Sequence, residues 1–433
     1  MTDREPNVYE ADIAVIGGGP AGIAAAVCAA ESGRRVTLID EAPRPGGQIW
    51  RHTSRAHLPR TARRWLERLD RCGARVLSRA SVVDALPGFA LTVERAGVLT
   101  VITAPVLILA TGARERFLPF PGWTLPGVVG AGGAQALVKA GAEPRDTRAV
   151  IAGSGPLLLA AAGALGRARV RVRLVAEQAP AARVYGFAAS LWRTPARIAQ
   201  ATVERAAALG ARYRLGCWVE RADGADRVAE VTLTNGKRRW TESCNLLCSG
   251  FGLVPATELA RLLGCTIIRE RVLVDALQRT PVNGVLCAGE PTGIAGVDAA
   301  IVQGEIAGAV AAGRSDAARR RFAARDQHRR FADRLEAAFT LRDELRTVAT
   351  QDTIVCRCED VRFGHIHASW SGREAKLRTR AGMGPCQGRV CGAALEFLLG
   401  HRTGSIRPPI APARVSTLMR NNEFVVEPRG KLP

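Results

Sequence analysis

Aromatic side chains are scarce in this sequence, 5% of 433 residues, and so is negative charge: 40 Asp and Glu stand against 61 Lys and Arg, a formal net charge of +21. A basic field attracts phosphates. The excess, however, is almost all arginine spread along the chain, and no basic stretch is interleaved with aromatics on which bases could stack. No nucleic acid is expected as a partner, and the charge reads as solvated surface with contacts to acidic partners. No apolar run approaches the ~18 residues that would span a bilayer, and the opening MTDREPNVYE lacks a basic-then-apolar leader. The expectation is a cytoplasmic protein, either free or peripheral to the inner membrane through partners. That compartment keeps thiols reduced, which argues against a disulfide framework despite 11 cysteines.

What is present is an α/β composition, with 47% hydrophobic residues and 45 glycines, in a chain too long for one core. Residues 12–40 read as an apolar strand, a glycine turn, an Ala-rich helix and a second strand. The turn VIGGGPAG places Gly17, Gly19 and Gly22 as G-x-G-x-x-G. Gly17 permits the tight bend, Gly19 lets the backbone approach a pyrophosphate, and Gly22 allows close helix–strand packing; the helix N-terminus attracts the phosphates. Asp40 ends the second strand, where its carboxylate can accept from ribose hydroxyls. Asp40 is preferred to Glu41, which starts the loop. This context points to a dinucleotide.

Downstream stand PGGQ (Pro45 to Gln48), ATGA (Ala110 to Ala113) and GVLCAGE (Gly284 to Glu290). With them the sequence resembles the two-dinucleotide flavoprotein superfamily that includes the pyridine-nucleotide–disulfide reductases. The resemblance implies FAD, with Gly46, Gly47 and Gln48 beside flavin and pyrophosphate and a close turn at Thr111 and Gly112. It further implies that Gly289 and Glu290 reach the ribityl chain, Glu290 standing where Asp is usual. The helices after the glycine turns carry no cysteine pair, and Cys244 and Cys248 read as structural thiols, so thiol–disulfide chemistry is not expected.

The stretch 148–175 repeats the same grammar, with Gly153 and Gly155 in AGSGPLLL, but Leu158 takes the third glycine position. Glu177 follows near the end of the next strand. Two readings stand side by side: a site for a second nucleotide (NAD(P), ATP or FMN), or a retained scaffold.

Four cysteines fall at C-x-C-x27-C-x4-C: Cys356, Cys358, Cys386 and Cys391. Two close thiolate pairs suit a tetrahedral zinc or a [2Fe-2S] cluster. The C-x-C pair is tight for a zinc knuckle, and Gly382, Gly384, Gly388 and Gly392 leave amides free to donate to sulfur. The segment resembles the bacterioferritin-associated-ferredoxin-like (BFD-like) [2Fe-2S] domain. His365 and His367, between the pairs, read as surface residues, and no general base or other catalytic residue is identifiable.

The stretches ATGARERFLPFPGWTLPGVVGAGGAQALVKAG and GFGLVPATELARLLGC, together with EAPRPGGQIWR, AGSGPLLL and the cysteine segment, resemble the α (A) subunits of opine oxidases and of hydroxyproline or proline dehydrogenases, and the flavin subunit of hydrogen cyanide synthase. This resemblance implies an electron-transfer subunit of a multisubunit amino-acid, opine or hydroxyproline dehydrogenase. Its implied partners are a glycine-oxidase-like flavoprotein β subunit, a small ferredoxin-like subunit in some systems, and a respiratory-chain acceptor. A self-contained NAD(P)H-dependent reductase and a non-catalytic assembly scaffold are the alternatives. The expected architecture is α/β: an FAD domain at 1–122 and 251–314, an NAD(P)-type domain at 123–250, a helical connector at 315–350, a small helical [2Fe-2S] domain at 351–400, and an extended tail at 401–433.

Overall fold

The computed structural model describes residues 7–86, 88–142, 146–193, 195–208, 210–401 and 406–421. Internal contacts divide the chain into two compact units, Met1–Arg114 with Pro255–Ala332 and Ser405–Pro433, and Glu115–Val254 with Asp333–Gly404.

In the first unit, five strands form a parallel sheet in the order Val285–Cys287, Val106–Leu109, Ile13–Ile16, Val36–Asp40 and Arg75–Ser78. Its strands are near-continuous apolar runs because both faces are covered. Ile13, Val15, Leu38 and Ile108 pack toward the helices Pro20–Ala30 and Val297–Ala311 on one face. Ala14, Ile16, Leu107 and Leu109 face the other core with Leu91, Val93 and Ile102 from a four-stranded sheet. Glycine lets the two helices touch. A Cβ on Gly304 would lie 2.2 Å from the Ala21 carbonyl oxygen, and one on Gly308 would lie 2.3 Å from that of Ala25.

The second unit repeats this order in four of its strands, while its edge strand Val128–Gly130 comes first in sequence rather than last. Its parallel sheet runs Val128–Gly130, Leu246–Phe251, Arg148–Ser154, Arg171–Glu177 and Arg212–Leu215, with a three-stranded antiparallel sheet alongside in sequence, Trp218–Asp223, Glu230–Thr234 and Arg239–Ser243. Cys244 and Cys248 enter different cores and are both free thiols, which burial pushes well up from the usual range. They form no redox pair.

After the helices Ser315–Arg319 and Phe322–Ala338 the chain builds a small module. It has strands Ile354–Cys356 and Val361–Arg362, a helix Gly372–Thr379 capped by a Ser371–Glu374 capping box, and a helix Cys391–Leu399. Val355, Ile366, Ala375 and Leu395 form its core with Cys356 and Cys391. The tail departs from the extended expectation. Val415–Asn421 is helical, and the segment before it returns to its own first unit: the Ile410 N–H donates to the Val83 carbonyl at 2.8 Å and its side chain is buried. The apolar residues Ile406 and Ile410 drive this return by joining the sheet core. Residues 402–405 and 422–433 of that expected tail lie outside the described residues.

Candidate nucleotide and cysteine sites

Strand register collects the motifs of the first unit on one edge. Ile16 pairs with Ile39 and Leu109, and Leu109 with Cys287, so the segments that follow, at Gly17, Asp40, Ala110 and Ala288, leave the sheet side by side. Ligands of open α/β sheets bind at this carboxyl edge. Gly17 bends there with φ +107°, and a Cβ on it would meet the Ala110 oxygen at 2.2 Å; one on Gly22 would meet the Gly17 oxygen at 1.8 Å. Gly19 is different. The nearest atom to a Cβ there is the Gly47 Cα, 4.0 Å away, so its turn has open space where a pyrophosphate needs it.

Gly46 and Gly47 lean on that turn. The Gly46 N–H donates to the Gly18 carbonyl at 2.7 Å. Gln48 is exposed, its Oε1 accepting from Arg51 at 2.8 Å. A cavity of about 270 Å3 lined by Pro43, Arg44, Pro45, His52 and Arg55 opens at the Pro45 side. Asp40 is buried and Glu41 exposed. Burial raises the Asp40 carboxyl, opposed by the N–H groups of Ala42, at 2.7 Å, and Gly18. Thr111 Oγ1 donates to the Ala256 carbonyl at 2.6 Å, and the Ala256 N–H returns a bond to the Gly112 carbonyl at 3.0 Å. These residues fit an FAD pyrophosphate and ribose.

Glu290 spends its oxygens locally, accepting from the N–H groups of Gly296 at 3.0 Å and Ala295 at 3.3 Å. Burial pushes its carboxyl up to about 7. Gly289 is held by Gln303, whose Oε1 accepts the Gly289 N–H at 2.7 Å. Gln303 escapes sequence reasoning, since a lone polar residue inside an Ala-rich helix carries no spacing signal. Glu115 does too: in the second unit its half-buried carboxylate, close to Gly130, Gly132 and Gly250, accepts from the Gly132 and Gly133 amides at 2.6 and 3.1 Å at the start of the helix Ala131–Lys139.

In the second unit Gly153 pairs with Glu177 across adjacent strands, so Glu177 ends its strand as Asp40 does. Glu177 is fully buried; its Oε2 accepts the Gly155 N–H at 2.7 Å and its Oε1 the Ala179 N–H at 2.8 Å. Leu158 is buried in the core with Ile151 and Val175. Burial raises the Glu177 carboxyl to about 7, so the cost of the charge in the folded chain is absent below the unfolded value and felt in full once pH passes about 7. At about 1.4 kcal/mol per pH unit, raising pH from 5 to 8 should move the stability difference between wild type and Glu177→Gln against the wild type by roughly 2.5 kcal/mol. Thermal melts across that range test this; a flat difference would show an ordinary carboxylate.

The four cysteines come together as two pairs. Cys356 and Cys391 lie close enough to shift one another's thiols, and Cys386 stands likewise beside Cys358. Cys391 holds the Cys356 thiol below its usual range against burial, aided by backbone N–H groups, among them Gly382 at 3.4 Å. The same pairing pushes Cys391 up. A Cβ on Gly384 would sit 2.3 Å from the Cys358 Cβ, so glycine there permits the approach. Among the described residues no group of three or more His, Cys, Asp or Glu converges on a metal position. His365 and His367 are exposed.

Known proteins resemble this chain over most of its length. The HcnB subunit of hydrogen cyanide synthase from Pseudomonas aeruginosa is 33% identical over 450 residues, covering 92% of this chain and 96% of its own. The A subunit of opine oxidase from Rhizobium meliloti is 32% identical, over 94% of this chain and 87% of its own. The crystal structure of L-proline dehydrogenase from P. horikoshii has the same fold, with a TM-score of 0.66 at 20% identity across 96% of this chain and 81% of that one. The family model for pyridine nucleotide-disulphide oxidoreductases matches residues 11–312, a span that takes in both parallel sheets. With its two glycine turns set at the carboxyl edges of those sheets, this chain belongs to the pyridine nucleotide-disulphide oxidoreductase family and is an FAD-dependent oxidoreductase.

Proposed function

We propose that the chain is the electron-relay component of a multisubunit dehydrogenase that oxidises the C–N bond of an amino acid, an opine or hydroxyproline. The observation that carries this reading is the pairing of Cys356 with Cys391 and of Cys358 with Cys386, in the same polypeptide as a glycine turn with a buried Asp40. A soft, all-thiol donor set in two pairs suits a [2Fe-2S] cluster. When bound, a flavin takes up an electron pair and an iron–sulfur cluster passes electrons singly. This chain's residues hold the two groups: the turn at Gly17, Gly19 and Gly22 seats the pyrophosphate, Asp40 the ribose, and the Gly382 N–H tunes Cys356.

The substrate pocket belongs to a partner, a glycine-oxidase-like flavoprotein β subunit. The electrons leave to a respiratory-chain acceptor, with a small ferredoxin-like protein as a further component. HcnB and its opine oxidase counterpart are both subunits by name, which supports a hetero-oligomer. The complex is then cytoplasmic, held at the inner membrane by its acceptor.

The test is metal and sulfide analysis, with EPR of the dithionite-reduced protein, beside turnover of proline, hydroxyproline and opines by the chain alone and with its partner. Iron and acid-labile sulfide in equal amounts, and turnover only in the complex, are expected. Zinc at the thiols, or full-rate oxidation by the chain alone, would sink the proposal.

A further inference from the structure

The second glycine turn is covered by the chain itself. A Cβ on Gly155 would have the Phe339 ring as its neighbour, with Cγ 3.9 Å away in ordinary contact, so a residue 184 positions along the chain stands beside this turn. The Phe339 ring also packs edge-on against Phe187, centroids 5.5 Å apart at 74°. Polar bonds fix the segment 339–342 in place. Ser154 Oγ donates to the Phe339 carbonyl at 3.1 Å. Gln178, fully buried, donates through Nε2 to Ser154 Oγ at 2.9 Å and to the Thr340 carbonyl at 3.3 Å, and its Oε1 accepts the Arg342 N–H at 3.2 Å.

Beyond the turn the same segment leads into the cysteine module. The Arg342 guanidinium lies 4.2 Å from the centre of the Trp218 ring. Leu345 is buried with Leu118, Trp218, Phe251 and Ala394, the last on the helix that starts at Cys391. Trp123 Nε1 donates to the Ile354 carbonyl at 2.6 Å, two residues before Cys356. A pyrophosphate at this turn needs the face above the second glycine and the free amides of the helix start. The Phe339 ring stands beside the first, tied there by the bond from Ser154 to its carbonyl, and Glu177 has taken the Gly155 N–H.

We infer that the second dinucleotide unit binds the chain's own segment 339–342 in place of a nucleotide, and that it serves as the mount that fixes the cysteine module. The inference stands whether or not the thiols hold a cluster. It removes NAD(P)H as a direct reductant of this chain.

The full-length, flavin-containing chain should show no saturable binding of NADH, NADPH or ATP in equilibrium dialysis at millimolar ligand, and NADH should not bleach its flavin. Saturable binding of any of the three that Gly155→Val abolishes would overturn the inference. In Gln178→Ala, which loses the side chain's bonds to the segment, hydrogen exchange across 351–400 should quicken about tenfold. Far-UV circular dichroism, read in the same samples, should match the wild type and shows that the variant is folded. Unaltered exchange in that variant would refute the mount. ATP binding to a chain that contains iron and sulfide would sink this inference alone, whereas zinc at the thiols with no nucleotide bound would sink only the relay.

Discussion

Gly19→Val should give a folded protein that purifies without its yellow colour. A Cβ at Gly19 has 4.0 Å of clearance to the Gly47 Cα, so the larger side chain fits the unliganded turn. It then projects into the space that a pyrophosphate must share with the backbone at the start of the helix Pro20–Ala30. Overpacking of ~3 kcal/mol at that contact corresponds to about a hundredfold loss of FAD affinity. Gly22→Val is the informative contrast. Its Cβ would lie 1.8 Å from the Gly17 oxygen, a backbone atom that cannot swing aside, so the damage falls on the fold, with a loss of roughly 3 kcal/mol or more. Absorbance at the flavin bands and thermal melting separate the two effects. Stoichiometric flavin in Gly19→Val would mean that the cofactor is seated elsewhere.

Serine substitutions at the four cysteines should agree in function and differ in stability. Each is expected to abolish iron and sulfide binding, the EPR signal of the reduced protein, and turnover in the assembled complex. Cys356 and Cys391 are 1% and 3% exposed within the module's core, and placing a polar, smaller serine there costs about 1–3 kcal/mol. Cys358 is exposed, and Cys358→Ser should lie within about 0.5 kcal/mol of wild type in the metal-free protein. Full turnover by a complex built with Cys358→Ser would leave the cysteine module a purely structural part.

The residues of the first unit are legible because they obey local rules. Val36 to Ile39 is an apolar strand with an acid after it, and VIGGGPAG can bend only where glycine tolerates φ above zero. Sequence order alone cannot place ATGA and GVLCAGE beside that turn; register does, through the pairings of Leu109 with Ile16 and Cys287. Gln178 and Phe339 are unreadable for a different reason. Their partners are 162 and 185 residues away, Thr340 for Gln178 and Ser154 for the Phe339 carbonyl, and nothing in their own neighbourhoods distinguishes them. Leu158 signals that the second turn departs from the glycine pattern, but the departure lies in what covers Gly155, which a sequence window cannot contain. The tail reads as extended throughout because Pro408 and Pro409 dominate it, whereas Val415–Asn421 lies beyond them and is helical.

The order in which the strands are encoded has a consequence on the ribosome. All five strands of the second parallel sheet come from one uninterrupted stretch, beginning at Val128–Gly130 and ending at Leu246–Phe251. The first sheet, though begun at Ile13–Ile16, waits for Val285–Cys287 to emerge. The inserted sheet can therefore be complete while its elder neighbour still lacks an edge, and a nascent chain meets its flavin late.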